Sequence, residues 1–199
     1  MKSQNELRIR GGVWKREYGE VAVRIPLQFP DAVINSGFVV SAGTRGAIFT
    51  DGKLSEEVTE ASGFLPQRVD QSLIEKLIGL KGGGKQVEVA LVVESNFSVP
   101  IHLYQGIALR DGSEMEVSLE LVLRVSDVRL IWSQLLSTSS TDVLSAGDLA
   151  SGLMGPVQSA VVEVVGKWDA ERAVSERSNK EALESSVRER LSESLTEMG

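Results

Sequence analysis

The run Glu114–Val125 constrains the fold more than any other part of this sequence. Its pattern of period two predicts a β-strand with one solvated and one apolar face. The polar face carries Glu114, Glu116, Ser118 and Glu120, and the apolar face carries Met115, Val117, Leu119, Leu121, Leu123 and Val125. Burying the six apolar side chains at about 1.5–3 kcal/mol each would contribute roughly 10 kcal/mol or more before conformational entropy is counted. The strand therefore needs both a neighbouring strand and a cover over its apolar face.

Turn signals predict antiparallel neighbours for several strands. Arg110-Asp111-Gly112 predicts a turn that pairs residues 101–109 with 114–125 in a long hairpin. Asp51-Gly52, a strong hairpin dipeptide, joins a strand at 47–49 to one at 53–58. Alternation or short apolar runs predict further strands at 20–25, 38–40, 86–94 and 97–108, with a loop at 62–66.

Helical spacing dominates after about residue 140, and a short helix is predicted earlier, at about 70–80. Asp127 is placed to cap a helix over 128–136, and a polar linker follows at 137–141. Thr141 or Asp142 then caps a helix that carries Val143 and Leu144.

Glycine and proline weaken the middle of that helix, where Gly147, Gly152, Gly155 and Pro156 predict a kink or a break. Asn179 opens the last helix. The fold class is therefore α+β, a mainly antiparallel β platform with a short helix, followed by C-terminal helices. The segments are residues 1–19, a β-rich core at 20–136 and a helical part at 137–199.

The glycine-rich stretch Gly79–Lys85 resembles a phosphate-binding loop only in part. Gln86 stands where the Ser or Thr that contacts Mg²⁺ belongs. Helical spacing precedes the stretch and strand spacing follows it, which is the reverse of the order a nucleotide-binding loop needs. The stretch is predicted to be a helix-to-strand connection.

The residue types do not indicate a catalytic site or a metal site. The chain has no cysteine and one histidine, His102, which lies in a predicted strand without an acidic partner in register. Glu114, Glu116 and Glu120 are interpreted as a solvated face, because calcium prefers turn geometry with mixed carbonyl ligands. No enzymatic activity, cofactor or metal is expected.

Net charge and hydropathy argue against several other classes of function and location. The net charge of −7 argues against nucleic-acid binding, and no run approaches the roughly 20 apolar residues of a membrane span. The N-terminus lacks the apolar stretch of a secretory signal. The expected location is cytoplasmic, either free or peripheral to a membrane.

A narrow apolar stripe on the last helix is the predicted interaction surface. Its members, spaced mostly by four residues, are Leu183, Val187, Leu191, Leu195 and Met198. A stripe of this kind serves either core packing or a partner helix.

The order of these features resembles the SPFH (stomatin, prohibitin, flotillin, HflK/C; also band 7) domain over about residues 20–199. Gly43–Lys53, GTRGAIFTDGK, is similar to the family's first hairpin, and Ala61–Leu65 matches the following loop loosely. Gly106–Gly112, the long alternating strand and Arg124–Asp127 resemble the family's later turn, strand and "Arg-Val-x-Asp" run. The sequence is nearest to the prokaryotic subgroup sometimes labelled virion-core-like. It lacks the family's N-terminal hydrophobic hairpin and long coiled coil, so residue 199 is either a natural end or a truncation.

The resemblance implies a non-enzymatic scaffold that assembles side by side with copies of itself and organises protein partners that the sequence does not identify. Indirect association with a membrane is part of the same implication, and no catalytic residue is carried over. The sheet edges and the stripe Leu183–Met198 are the working surfaces expected. The alternatives are a monomeric α+β domain that binds a small ligand or a protein, and, as the weakest, an enzyme using a carboxylate pair or the Gly79–Lys85 loop.

Overall fold

A computed structural model describes residues 9–10, 13–26, 39–40, 43–58, 67–68, 86–136, 142–175 and 177–198. Within these residues the strands are β1 Ile9–Arg10, β2 Val13–Trp14, β3 Glu20–Pro26, β4 Val39–Val40, β5 Thr44–Thr50, β6 Lys53–Val58, β7 Gln67–Arg68, β8 Val87–Val93, β9 Phe97–Ala108, β10 Glu114–Leu123 and β11 Val143–Ser145. The helices are α1 Val128–Leu130, continued by a π-helical segment Ile131–Leu136, then α2 Ala146–Val165, α3 Ala170–Ser175 and α4 Arg177–Met198. The α+β class with mainly antiparallel sheets is confirmed.

The chain forms two compact units. The first contains residues up to 97 together with 124–145, and the second contains 98–123 and 146–198. The segment boundaries predicted at 19/20 and 136/137 stay predictions. The predicted helix at 70–80, the loop at 62–66, the linker at 137–141 and the Gly79–Lys85 stretch lie outside the described residues.

The first unit is built on a five-stranded antiparallel sheet in the order β11-β3-β8-β5-β6. All seven residues of the central strand β8 are buried, so both faces of the sheet are covered there. The short strands form a second sheet in the order β1-β2-β4-β7, in which only the β2–β4 pair is parallel.

The β5–β6 hairpin follows the sequence prediction. Asp51 and Gly52 both have positive φ, at 49° and 77°, as a two-residue turn of type I′ requires. The Asp51 carboxylate accepts a hydrogen bond from the backbone N–H of Gln86, 3.0 Å away, which ties the turn to the start of β8.

A helical segment covers one face of this sheet. Ala47 and Ala90 pair across β5 and β8, and both are fully buried. Phe49, two residues along β5 on the same face, stacks on Trp132 of the π-helical segment with the ring centroids 4.4 Å apart. The predicted cap is confirmed, because Asp127 accepts a hydrogen bond from the Arg129 N–H, 2.8 Å away.

The prediction that Val143 and Leu144 begin a helix is wrong. They form β11, in which Leu144 pairs with Ala22 of β3 and is buried. Asp142 forms an ion pair with Arg24, 2.9 Å away, instead of capping a helix. Two adjacent apolar residues are compatible with a helix and with a strand. They form a strand here because the edge of β3 offers backbone groups with which they can pair.

Of the kink or break predicted in the next helix, the break is absent, since α2 runs from Ala146 to Val165 with Pro156 inside it, and the kink stays a prediction. Proline removes one helical hydrogen bond and crowds the carbonyl four residues earlier. That residue is Gly152, whose backbone is the most adaptable. Seven buried side chains on the opposite face hold the helix in place: Ala146, Leu149, Leu153, Val157, Ala160, Val161 and Val165.

The second unit combines the hairpin β9–β10 with α2, α3 and α4. The predicted alternation of β10 is confirmed, because Glu114, Glu116, Ser118 and Glu120 are exposed. Its apolar face is covered less completely than expected. Val117 is buried, whereas Met115, Leu119, Leu121 and Leu123 are half-buried. The estimate of roughly 10 kcal/mol for this strand is therefore an upper bound.

Candidate interaction surfaces

The residues considered for chemistry do not converge. Within the described ranges, no group of three or more His, Asp and Glu side chains is arranged to hold a metal ion. His102 is exposed and its Nδ1 lies 3.1 Å from Ser118 Oγ on the paired strand, within hydrogen-bonding distance. The carboxylates of Glu114, Glu116 and Glu120 form the exposed face of β10.

The predicted stripe on α4 divides into two parts. Leu183, Val187 and Leu191 are 8%, 4% and 2% exposed, and α4 packs against α2 within the second unit. This corrects the expectation that these three residues offer a free surface. A stripe with a spacing of four fits one neighbouring helix, and α2 supplies that neighbour with its own apolar row. Arg190 reinforces the pair by donating to Glu163, 2.9 Å away.

Leu195 and Met198, the last two members of the stripe, are only half-buried. They continue the line of Leu191 toward the end of α4. The interaction surface predicted from the sequence narrows to these two residues, for which it stays a prediction.

Asn179 joins two helices instead of opening one. Its side-chain amide is buried, donates to the Arg172 carbonyl at 2.6 Å and accepts from Arg172 Nε at 3.3 Å. The carbonyl belongs to the last turn of α3, where backbone acceptors have no partner inside the helix. The amide therefore fixes the corner between α3 and α4, and α4 itself begins two residues earlier, at Arg177.

Sequence reasoning missed the outward face of α2. Its exposed residues between Asp148 and Glu163 are all uncharged, and most are small: Ser151, Gly152, Gly155, Gln158, Ser159 and Val162. Val162 is 47% exposed, and a Cβ built on Gly152 or Gly155 would meet no atom within 4 Å. The exposed face of α4 is charged instead, with Lys180, Glu181, Glu184, Arg188, Glu189 and Arg190. The spacing of small residues by three and four was the available signal, and it was interpreted only as a weak point of the helix.

The turn of the β9–β10 hairpin is fastened to the corner between α2 and α3. Arg110 donates its backbone N–H to the Trp168 carbonyl at 2.8 Å, and its guanidinium lies 3.2 Å from Asp169. Asp111 accepts from the Ala170 N–H at 2.9 Å and from both the backbone and the hydroxyl of Ser113. The hydrogen bond from Ala170, followed by those from Ser113, lowers the pKa of Asp111 from 3.8 to about 2.

A second organised turn lies near the N-terminal end of the first unit. Glu20 is buried, and its Oε2 accepts hydrogen bonds from Trp14 Nε1 at 3.2 Å and from the Glu17 N–H at 3.0 Å. The Glu20 N–H closes the turn on the Glu17 carbonyl, with Gly19 at a φ of 81°. Tyr18, between them, is completely exposed.

Among the helices described, none combines the length and the apolar character needed to cross a membrane.

Comparison with known protein families identifies a family for this chain. The sequence profile described as "SPFH domain / Band 7 family" matches residues 38–199. No curated protein matches the chain. The virion-core-like subgroup is not tested by this match and stays a prediction.

Proposed function

Because this chain belongs to the SPFH domain / Band 7 family, we propose that it is a non-enzymatic scaffold module that assembles with copies of itself and organises partner proteins. The family match supports a scaffold or protein-binding module in general. Self-assembly, a membrane surface as the place of assembly and the recruitment of other proteins are the specific parts of the proposal.

The observation that carries self-assembly is the outward face of α2. Glycine inside a helix costs roughly 0.5–1 kcal/mol relative to alanine. Gly152 and Gly155 are exposed, and among the described residues no atom outside their own stretch of helix lies within 4 Å of where their side chains would begin. Gly152 also accommodates the ring of Pro156, but packing among the described residues gives no reason for Gly155, and small residues at both positions let a second helix approach closely.

The absence of charge on this face points the same way. Charged residues make up 25% of the chain, and no charge lies between Asp148 and Glu163. Surfaces buried between proteins are depleted of charge at their centres, and Val162 adds an exposed apolar contact. Leu195 and Met198, both half-buried, are proposed as further apolar contacts.

The test is Gly152→Leu, examined by sedimentation velocity over a wide range of protein concentrations. Leucine raises helix propensity, and the open space at Gly152 accepts its side chain, so the monomer stays folded while the face is blocked. Ser185→Leu on the charged, exposed face of α4 is the matched control. We expect the wild-type chain and Ser185→Leu to associate with rising concentration and Gly152→Leu to stay dissociated.

A wild-type chain that stays monomeric at every concentration would refute self-assembly and favour the monomeric binding domain. Equal association of the wild type and Gly152→Leu would refute the role of the α2 face.

A further inference from the structure

The outer face of the β9–β10 hairpin is a solvent-exposed sheet surface among the residues that the structure describes. β9 contributes exposed Ser98, Pro100, His102, Gly106 and Ala108, and β10 contributes exposed Glu114, Glu116, Ser118, Glu120 and Val122. The opposite face of β9 is buried through Val99, Ile101, Leu103 and Ile107. Val122 is 64% exposed and gives the acidic side of this surface an apolar contact point.

Charge excludes one class of occupant. Two hairpin faces brought together would oppose three carboxylates with three others, and like charges directly opposite are destabilising. The edge strand β6 is no better as an occupant, since it exposes Glu56 and Glu57. The occupant has to be basic.

The N-terminal segment is the most basic stretch of its length in the sequence. Residues 1–16 hold five basic residues and one acidic residue, a net charge of +4, so the remainder carries −11 of the total of −7. Because the rest of the chain is so acidic, two copies repel one another at low salt. The basic segment is the part of the sequence that offers an attractive contact.

The turn Lys15–Tyr18, at the end of this segment, is exposed to solvent. Lys15, Arg16 and Glu17 are exposed, which gives the turn itself a net charge of +1, and Tyr18 is fully exposed at the tip. The buried Glu20 holds the backbone through Trp14 and Glu17, and Arg16 Nε donates to the Glu20 carbonyl at 2.7 Å. A turn already held in one conformation loses little entropy on binding, and tyrosine is enriched among the residues that dominate interface energies.

We propose that the turn Lys15–Tyr18 of one copy docks on the outer hairpin face of a second copy. Tyr18 lies against Val122, and Lys15 and Arg16 face Glu120 and Glu116. Glu120 and Val122 are about 7 Å apart along the strand, within the span of the turn. The two surfaces differ, so the contact is head-to-tail and extends from copy to copy into a ring or a row. This inference rests on the proposed self-assembly and adds a second, electrostatic contact to it.

The test uses two charge-reversed forms of the full chain, K15E/R16E and E116K/E120K. Each form opposes like charges at the contact, so we expect each to associate about tenfold more weakly than the wild type at about 0.05 M salt. In an equal mixture the acidic turn of one form meets the basic face of the other, and the remaining turn and face are unchanged. The mixture is therefore expected to recover wild-type association. The differences should shrink at about 0.5 M salt.

The control for E116K/E120K is E171K/E189K, which makes the same change in net charge at exposed sites on α3 and α4. Circular dichroism of every form checks that the fold is kept. Wild-type association that neither reversal weakens, or a mixture no better than its components, would overturn this contact and leave the proposed function standing. A wild-type chain that never associates would overturn both.

Vesicles containing phosphatidylserine provide the remaining comparison. Binding of the wild-type chain to these vesicles that is lost in K15E/R16E, with self-association unchanged, would assign the turn to a lipid surface and overturn the contact between copies.

Discussion

Leu191 provides the sharpest test of the packing between α2 and α4. The side chain is 2% exposed, so replacing it with alanine removes buried carbon atoms and leaves a cavity. Leucine-to-alanine changes at such sites cost about 2–5 kcal/mol. Leu195 lies four residues further along the same stripe but is half-buried, so Leu195→Ala should cost less than about 1.5 kcal/mol.

The measurement is urea unfolding followed by the helical circular dichroism signal, at a protein concentration low enough to keep the chain dissociated. We expect the free energy of unfolding to fall by about 3 kcal/mol for Leu191→Ala, with the denaturant slope unchanged. If the stripe were a free interaction surface, Leu191→Asp would weaken association or partner binding and leave residues 20–125 folded. With Leu191 inside the helix pair, a carboxylate at this position is expected to unfold the pair itself.

A loss below about 1 kcal/mol for Leu191→Ala, together with weaker self-association, would refute this reasoning, because it would place Leu191 at a surface between copies.

Three further changes test other parts of the structure. Gly152→Ala should raise the free energy of unfolding by roughly 0.5–1 kcal/mol in urea, and a loss would mean that the open space beside the helix is filled. Asp111→Asn should lower the melting temperature at neutral pH. The folded-state pKa of Asp111 is depressed, so its contribution is present above pH 3.8 and fades as the pH falls toward about 2. The difference in melting temperature between the wild type and Asp111→Asn should therefore shrink over that pH range. A difference that stays constant would contradict the lowered pKa of Asp111. Phe49→Leu removes the ring stacked on Trp132, which should cost about 1 kcal/mol and change the near-ultraviolet circular dichroism, and an unchanged spectrum would argue against the stack.

The strands and turns were accessible from the sequence because their signals are local. The alternation of Glu114–Leu123, the Asp51-Gly52 turn and the Asp127 cap depend on contacts among residues close in the chain. The family resemblance depended on the order of these same elements, and the match over residues 38–199 confirms it.

The functional surfaces were less accessible. The apolar stripe on α4 was recognised from the sequence. The spacing of its residues did not indicate that α2 would cover Leu183, Val187 and Leu191. The sequence signals for Tyr18 and for the outward face of α2 were weaker still. Whether a side chain is exposed depends on which distant parts of the chain pack around it. Glu20 shows the difficulty, since nothing in its local sequence marks it as the buried carboxylate that fixes a turn.

The sequence by itself therefore determined most of the longer strands and helices that the structure describes, where several turns lie, and the family to which the chain belongs. The tertiary structure decided that Val143–Ser145 extends a sheet and that Leu183, Val187 and Leu191 face α2. The physical reason is the range of the interactions. Periodicity records that one side of an element must be covered, whereas the identity of the cover depends on residues far away in the chain, which are brought together only when the sheet and the helices have formed.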